Sequence, residues 1–196
     1  MGSFSGEQVR LWKPDFCRDN FARWIASGEI LRLKRNLYTF PEYLQIPDSA
    51  LYFTNQIYRP SYVSLHSALH FHGVIPEEVV QFTSVSTLKT AFFQNAFGSY
   101  TYHHISANYM FGYDLKKAEG QVPFVIQMAT PEKAIIDLLH LYPEYSTVED
   151  MLNLRLNEDY MENGIDRGRM LDYEKRIDSP ALTKRLNLLR EAYGLL

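Results

Sequence analysis

Glu132, Lys133 and Asp137 bring together two carboxylates and a lysine, the set with which metal-dependent nucleases hold ions and move protons. They follow Thr130-Pro131, which reads as an N-cap and a first-turn proline, so they fall on a helix rather than at a strand end. At that spacing on a helix Glu132 and Asp137 point well away from each other. The helix dipole already explains Glu132 near an amino terminus. Asp137, between Ile136 and Leu138, is expected to meet a polar partner at the edge of its domain. The histidines offer metal chemistry instead. His66 and His70 stand one helical turn apart, with His72 nearby, and such a pair can share an ion. No acidic residue joins them in an HExxH pattern, so partly buried helix histidines and no bound metal are expected. Tyr100, Tyr102 and His104 share one strand face, and Tyr109, Phe111 and Tyr113 another. Aromatic faces of this kind can stack bases, but cross-strand packing accounts for them as well. A Gly-rich phosphate loop, a Gly-x-Ser-x-Gly elbow and a Cys/His pair are all absent, so neither an enzyme nor a cofactor is expected.

The remaining candidates are cations, whose chemistry is the binding of phosphate. Residues 1–40 hold seven bases against four acids, a net +3, and the other 156 residues hold 13 bases and 19 acids, a net −6. That asymmetry suggests a basic amino-terminal head on an acidic body, within a chain of net charge −3. Lys13, Arg18, Arg23, Lys34 and Arg35 are the expected DNA-binding residues.

The elements that must position them are legible from period and punctuation. Pro14 to Ser27 reads as a helix with Gly28 as its stop, burying Phe16, Cys17, Phe21, Trp24 and Ile25. Asp15, Arg18, Asp19, Ala22, Arg23 and Ala26 are left on its outer face, where Asp19 and Arg23 have the spacing of an ion pair. After Gly28 the period changes to two, and Arg35-Asn36 can form the tip of a two-stranded hairpin. A helix, a glycine stop and a basic-tipped hairpin make the second half of a winged helix-turn-helix. Pro41 to Pro60 reads as a connector, giving a winged-helix-like head over 1–45 and an α/β body over 60–196. In the body, Ser61 is expected to cap a helix ending at Gly73. Strands are expected over 81–87, 100–105, 109–115 and 123–128, with turns at Gly98, Asn108 and Gly120. Later helices open at Thr130, at a Ser146/Glu149 capping box and at Asp178 or Ser179. The predicted class is α+β, with a mainly antiparallel sheet and carboxy-terminal helices.

Composition agrees with an ordinary globular protein: 46% hydrophobic and 22% charged residues, with 14 Tyr and 12 Phe favouring sheet. Cys17 is the only cysteine, which excludes an internal disulfide. Met1 to Gly6 shows no signal-peptide pattern, and the longest apolar stretch, Val122 to Ala129, is too short to span a bilayer. A soluble cytoplasmic protein without membrane contact is expected.

Three stretches carry a resemblance to a known family. They are Trp24-Ile-Ala-Ser-Gly-Glu-Ile-Leu-Arg-Leu-Lys-Arg-Asn-Leu-Tyr38, then Pro60 to Pro76 around Ser-Leu-His-Ser-Ala-Leu-His-Phe-His-Gly, then Ala129-Thr-Pro-Glu-Lys-Ala-Ile-Ile-Asp-Leu-Leu139. In this order and spacing, over about residues 16 to 190, the chain resembles the AbiEi antitoxins, transcriptional regulators linked to phage defence. The resemblance implies a winged-helix head and a mixed α/β body. It also implies binding to double-stranded DNA at repeats upstream of the protein's own operon, and opposition to a nucleotidyltransferase toxin encoded beside it. Asn36 stands where the family commonly has a wing-tip Gly. A full winged helix places two helices before the recognition helix, and here there is room before Pro14 for one short helix, around Gly6 to Trp12.

Two further readings compete with a DNA-binding antitoxin. One is a protein-interaction module with a vestigial head, its acidic body binding a partner such as the toxin directly. The other is an enzyme acting on nucleic acid through Glu132, Lys133 and Asp137.

Overall fold

In the computed structural model, which describes residues 2–77, 80–118 and 124–195, the chain is mixed α and β. Strand β1 (Phe4–Ser5) runs straight into helix α1 (Gly6–Trp12), closed by a capping box in which Ser5 and Gln8 bond each other's backbone N–H. Helix α2 (Asp19–Ala26) follows, then the hairpin of β2 (Leu31–Lys34) and β3 (Leu37–Thr39). Strand β3 is central, antiparallel to both β1 and β2. The hairpin tip falls at Arg35-Asn36 as its sequence dictates, with Asn36 in the left-handed region at φ 61°. Phe16, Phe21, Ile30 and Tyr38 form a small core in which the rings of Phe21 and Tyr38 stack at 4.5 Å.

The helix expected from Pro14 begins only at Asp19. Pro14 and Asp15 form a turn, with the Phe16 N–H bonded to Lys13 O at 3.1 Å. The turn seats the Phe16 ring 4.9 Å from Phe21 and 5.3 Å from Trp24, and leaves Cys17 exposed rather than in the core. Nor is 41–60 a bare connector. After a 3-10 turn at Pro41–Gln45 it forms helix α3 (Ser49–Ile57), with Phe53 and Ile57 fully buried.

The rest builds a six-stranded sheet. Its strands are β4 (Ser61–Val63), β5 (Gln81–Ser86), β6 (Ala91–Asn95), β7 (Gly98–His104), β8 (Tyr113–Lys117) and β9 (Val125–Ala129), in the order β6-β7-β5-β4-β9-β8. Pairs β6–β7, β4–β5 and β8–β9 are antiparallel, while β5–β7 and β4–β9 are parallel. The sheet is therefore mixed, less antiparallel than expected. Ser61 lies in β4, not at a helix cap; the helix, α4 (Leu65–Phe71), begins after Ser64 and stops at Gly73. Helices α5 (Pro131–Leu141), α6 (Val148–Asn153), α7 (Arg167–Ile177) and α8 (Pro180–Ala192) complete the body. Thr130 and Ser179 cap α5 and α8 as expected. The cap of α6 is Thr147 with Asp150, one residue beyond the expected pair. Gly120 and residue 123, read as a turn and a strand start, lie outside the described residues. Among the described residues no helix is long and apolar enough to cross a membrane.

Alternation along β7 shows how the sheet divides its neighbours. Tyr100 and Tyr102 are fully buried with Phe53 and Ile57 of α3, whereas His103 meets Tyr142 at the end of α5 on the other face. These tyrosines are packing, not a stacking platform. Leu33 of β2 enters the same cluster as Tyr100 and Tyr102, and the Asn95 side-chain amide donates to Leu33 O at 3.1 Å. Burying such a leucine contributes about 1.5–3 kcal/mol, so the hairpin is fastened to the body by one of its own strands.

Candidate nucleic-acid interface

Each expected cation is placed by a local reason. Lys13 is exposed at the carboxyl end of α1, its N–H bonded to Val9 O. Arg18 is exposed at the N-cap position of α2, the end that enters the groove in proteins that read DNA with a helix. Arg23, five positions on, is also exposed but is turned well round the helix from Arg18. It does not pair with Asp19; its guanidinium donates to Asn20 Oδ1 at 3.1 Å, one turn back. Ala22 and Ala26 share the exposed face, so backbone can approach it closely.

The hairpin tip is tied to α1. Asn36 Oδ1 accepts from Gly6 N at 3.1 Å, and its Nδ2 donates to the Glu7 carboxylate. The Glu7 backbone N–H, and after it the Asn36 amide, holds that carboxyl below the usual range, with Arg18 adding a smaller attraction. One exposed carboxylate thus ties the tip of the hairpin to α1. Arg35 is exposed and Lys34 half-buried. Burial, and then the guanidinium of Arg59, holds the Lys34 ammonium below the ordinary lysine value.

The structure brings Lys34 and Arg35 together with Arg59 around one pocket, and leaves Lys13, Arg18 and Arg23 outside it. Sequence reasoning missed Arg59, which falls in the stretch read as a connector. Its only local signal is Pro60, which holds the preceding residue extended.

The carboxylates of α5 are accounted for differently from their expected place. Lys133 and Asp137 are both fully buried, not at an edge, and pair with each other one turn apart. Asp137 Oδ2 accepts from Tyr62 OH at 2.9 Å and Ser64 Oγ at 2.7 Å, and Lys133 donates to Tyr62 OH at 2.9 Å. Gly112, at φ 73°, lies so close that a Cβ there would be 2.9 Å from Lys133 Cγ. Leu65, a non-glycine at φ 57°, turns the chain from β4 into α4 beside this network. Burial, and then the Asp137 charge, drives the Tyr62 phenol far above its ordinary range. Glu132 faces elsewhere, accepting from Asp166 N at 3.0 Å and pairing with Arg169 at 3.4 Å. With no solvent reaching Lys133 or Asp137, the arrangement joins β4 to α5 and has no room for a substrate.

The histidines also separate. His66 lies beside Tyr142 and is half-buried, His70 is exposed, and His72 donates to Ala129 O at 2.9 Å. Burial holds His66, His72, His103 and His140 below the ordinary histidine value, and His66 further lowers His103. The unfolded chain therefore takes up protons first. The stability these groups support is complete above their ordinary value of about 6.5 and is lost as pH falls through the window beneath it. The urea midpoint should drop between pH 7.5 and 5.5, a range above that in which the lowered Glu7 and Asp150 carboxyls titrate. Replacing His66 and His103 by glutamine should flatten the drop; an equal midpoint at both pH values in the parent protein would refute the assignment.

Comparison with protein-family models and with curated proteins finds no match for this chain.

Proposed function

We propose that this protein is a DNA-binding antitoxin and autoregulating repressor of the AbiEi type, opposing a nucleotidyltransferase toxin. The observation that carries the reading is the order β1-α1-α2-β2-β3, with β1 paired to β3 and β3 to β2. That is the order of a winged helix-turn-helix from its first strand onward. In it α2 is the recognition helix, carrying Arg18 and Arg23 with Arg18 presented to base edges, and the β2–β3 hairpin is the wing, presenting Lys34 and Arg35 to phosphates.

Fluorescence anisotropy across a salt series, with duplexes from the region upstream of the gene and random duplexes of equal length, tests the reading. Specific sites bind roughly a thousandfold or more tighter than random sequence. Equal affinity for the two at every salt concentration would remove the repressor role.

One observation favours the interaction module as second reading. Phe4, Val9, Trp12, Trp24, Ile30 and Phe40 line an open apolar groove on the head, where Trp12 is 89% and Leu11 85% exposed. A stable one-to-one complex with the product of the neighbouring gene on size exclusion, without DNA preference, selects that reading.

A further inference from the structure

Between the wing and the body lies an open pocket of about 690 Å³. Lys34 and Arg35 reach it from β2 and the hairpin tip, and Arg59 from the residues after α3; hydroxyls and amides such as Tyr52 and Gln56 fill the intervals. No carboxylate lines it, and none forms an ion pair with any of the three cations among the described residues. Arg59 is aimed rather than free: Nε donates to Asn55 O at 2.8 Å and Nη2 to Gln56 Oε1. Of its five N–H groups, three remain for a ligand. Lys34 is half-buried next to this like charge, an unfavourable placement that a bound anion offsets.

A second compartment adjoins the first across Gln56 and Arg59. It measures about 500 Å³ and is walled by Leu115, Val125 and Gln127. Ser61 also lines it, and the Ser61 hydroxyl, in a residue only 1% exposed, has no hydrogen-bond partner. A cationic pocket beside a mixed apolar and amide-lined one matches a phosphate attached to an organic group.

We infer that Lys34, Arg35 and Arg59 form a phosphate-binding site at the junction of head and body, so that phosphate is held by residues of both. The phosphate comes either from the backbone of a nucleic acid or from a free nucleotide; for the first source the inference rests on the DNA-binding reading above. Arg59 is the discriminating residue, since it lies outside the wing.

The full-length protein and its Arg59→Ala, Arg59→Lys and Lys34→Ala variants are titrated with inorganic phosphate and with AMP by calorimetry at constant ionic strength. In parallel, each is titrated with a random duplex by anisotropy across salt. Thermal melts confirm that each variant is folded, and Lys34→Ala probes the pocket from its other wall should Arg59→Ala fail to fold. Affinity in at least one arm should fall about tenfold in Arg59→Ala and in Lys34→Ala, and be partly restored in Arg59→Lys. Loss confined to the duplex arm, with the salt slope reduced by about one, assigns a backbone phosphate. Loss confined to the phosphate and AMP arm assigns a free nucleotide, and that result stands even where no duplex binds. Affinity unchanged by Arg59→Ala and by Lys34→Ala in every arm overturns the site, while duplex binding that still depends on Arg18 leaves the DNA-binding reading intact.

Discussion

Asp137→Ala should lower the unfolding free energy by about 3–5 kcal/mol, the range found when one partner of a buried ion pair is removed. The reason is geometric. Lys133 and Asp137 are both fully buried, so truncating the carboxylate leaves an uncompensated ammonium in the core, with the Tyr62 hydroxyl and the Phe111 ring beside it. Tyr62 and Ser64 lose their shared acceptor in the same step. Lys133→Met with Asp137→Leu removes both charges and should lose less than either single change, because no uncompensated charge remains. Urea unfolding of the parent, Lys133→Met, Asp137→Leu and their combination gives the coupling directly. An unchanged midpoint for Asp137→Ala would reject the structural role and return these residues to the catalytic reading.

The second large effect is expected on DNA. Replacing Lys34 and Arg35 with alanine should weaken binding to the upstream region and to random duplex by similar factors. It should also reduce the slope of log affinity against log salt by roughly two, since each lost phosphate contact releases about one fewer counterion. Arg18→Ala should behave differently. On the proposed reading its side chain meets a base edge, so about 1–3 kcal/mol of discrimination should disappear at one base pair. The exposed position of Arg18 and its separation from the pocket of Lys34 and Arg35 make the two losses independent. Equal loss of discrimination in both variants would mean that α2 is not the reading element. No loss in either would leave the basic head as a solvated face, and the interaction module would take its place.

Much of the frame was legible where one residue type settles a local choice. Asn36 marked the hairpin tip, Gly73 the end of α4, and Thr130-Pro131 the start of α5. What was not legible is set by contacts between distant segments. Helix α3 was hidden because prolines and tyrosines mask its period, and Phe53 and Ile57 gain their meaning only against Tyr100 and Tyr102. Ser61 looked like a cap because serine usually is one, yet pairing of Ser61–Val63 with β5 outweighed that preference. From sequence Asp137 reads as an edge residue because its partners Tyr62 and Ser64 lie more than seventy positions earlier. In the candidate site, the five cations were visible as charges. Their division into a helix set and a pocket set was not, since Arg59 joins Lys34 only through the docking of the hairpin on the body.

That docking has a mechanical consequence. Strand β2 belongs to the three-stranded sheet through β3, yet its Leu33 is seated among α3 and β7. The head therefore has no hinge of its own at the wing. The hairpin and α3 share one packed contact, so the hairpin cannot be repositioned without repacking Leu33 against Phe53 and Ile57.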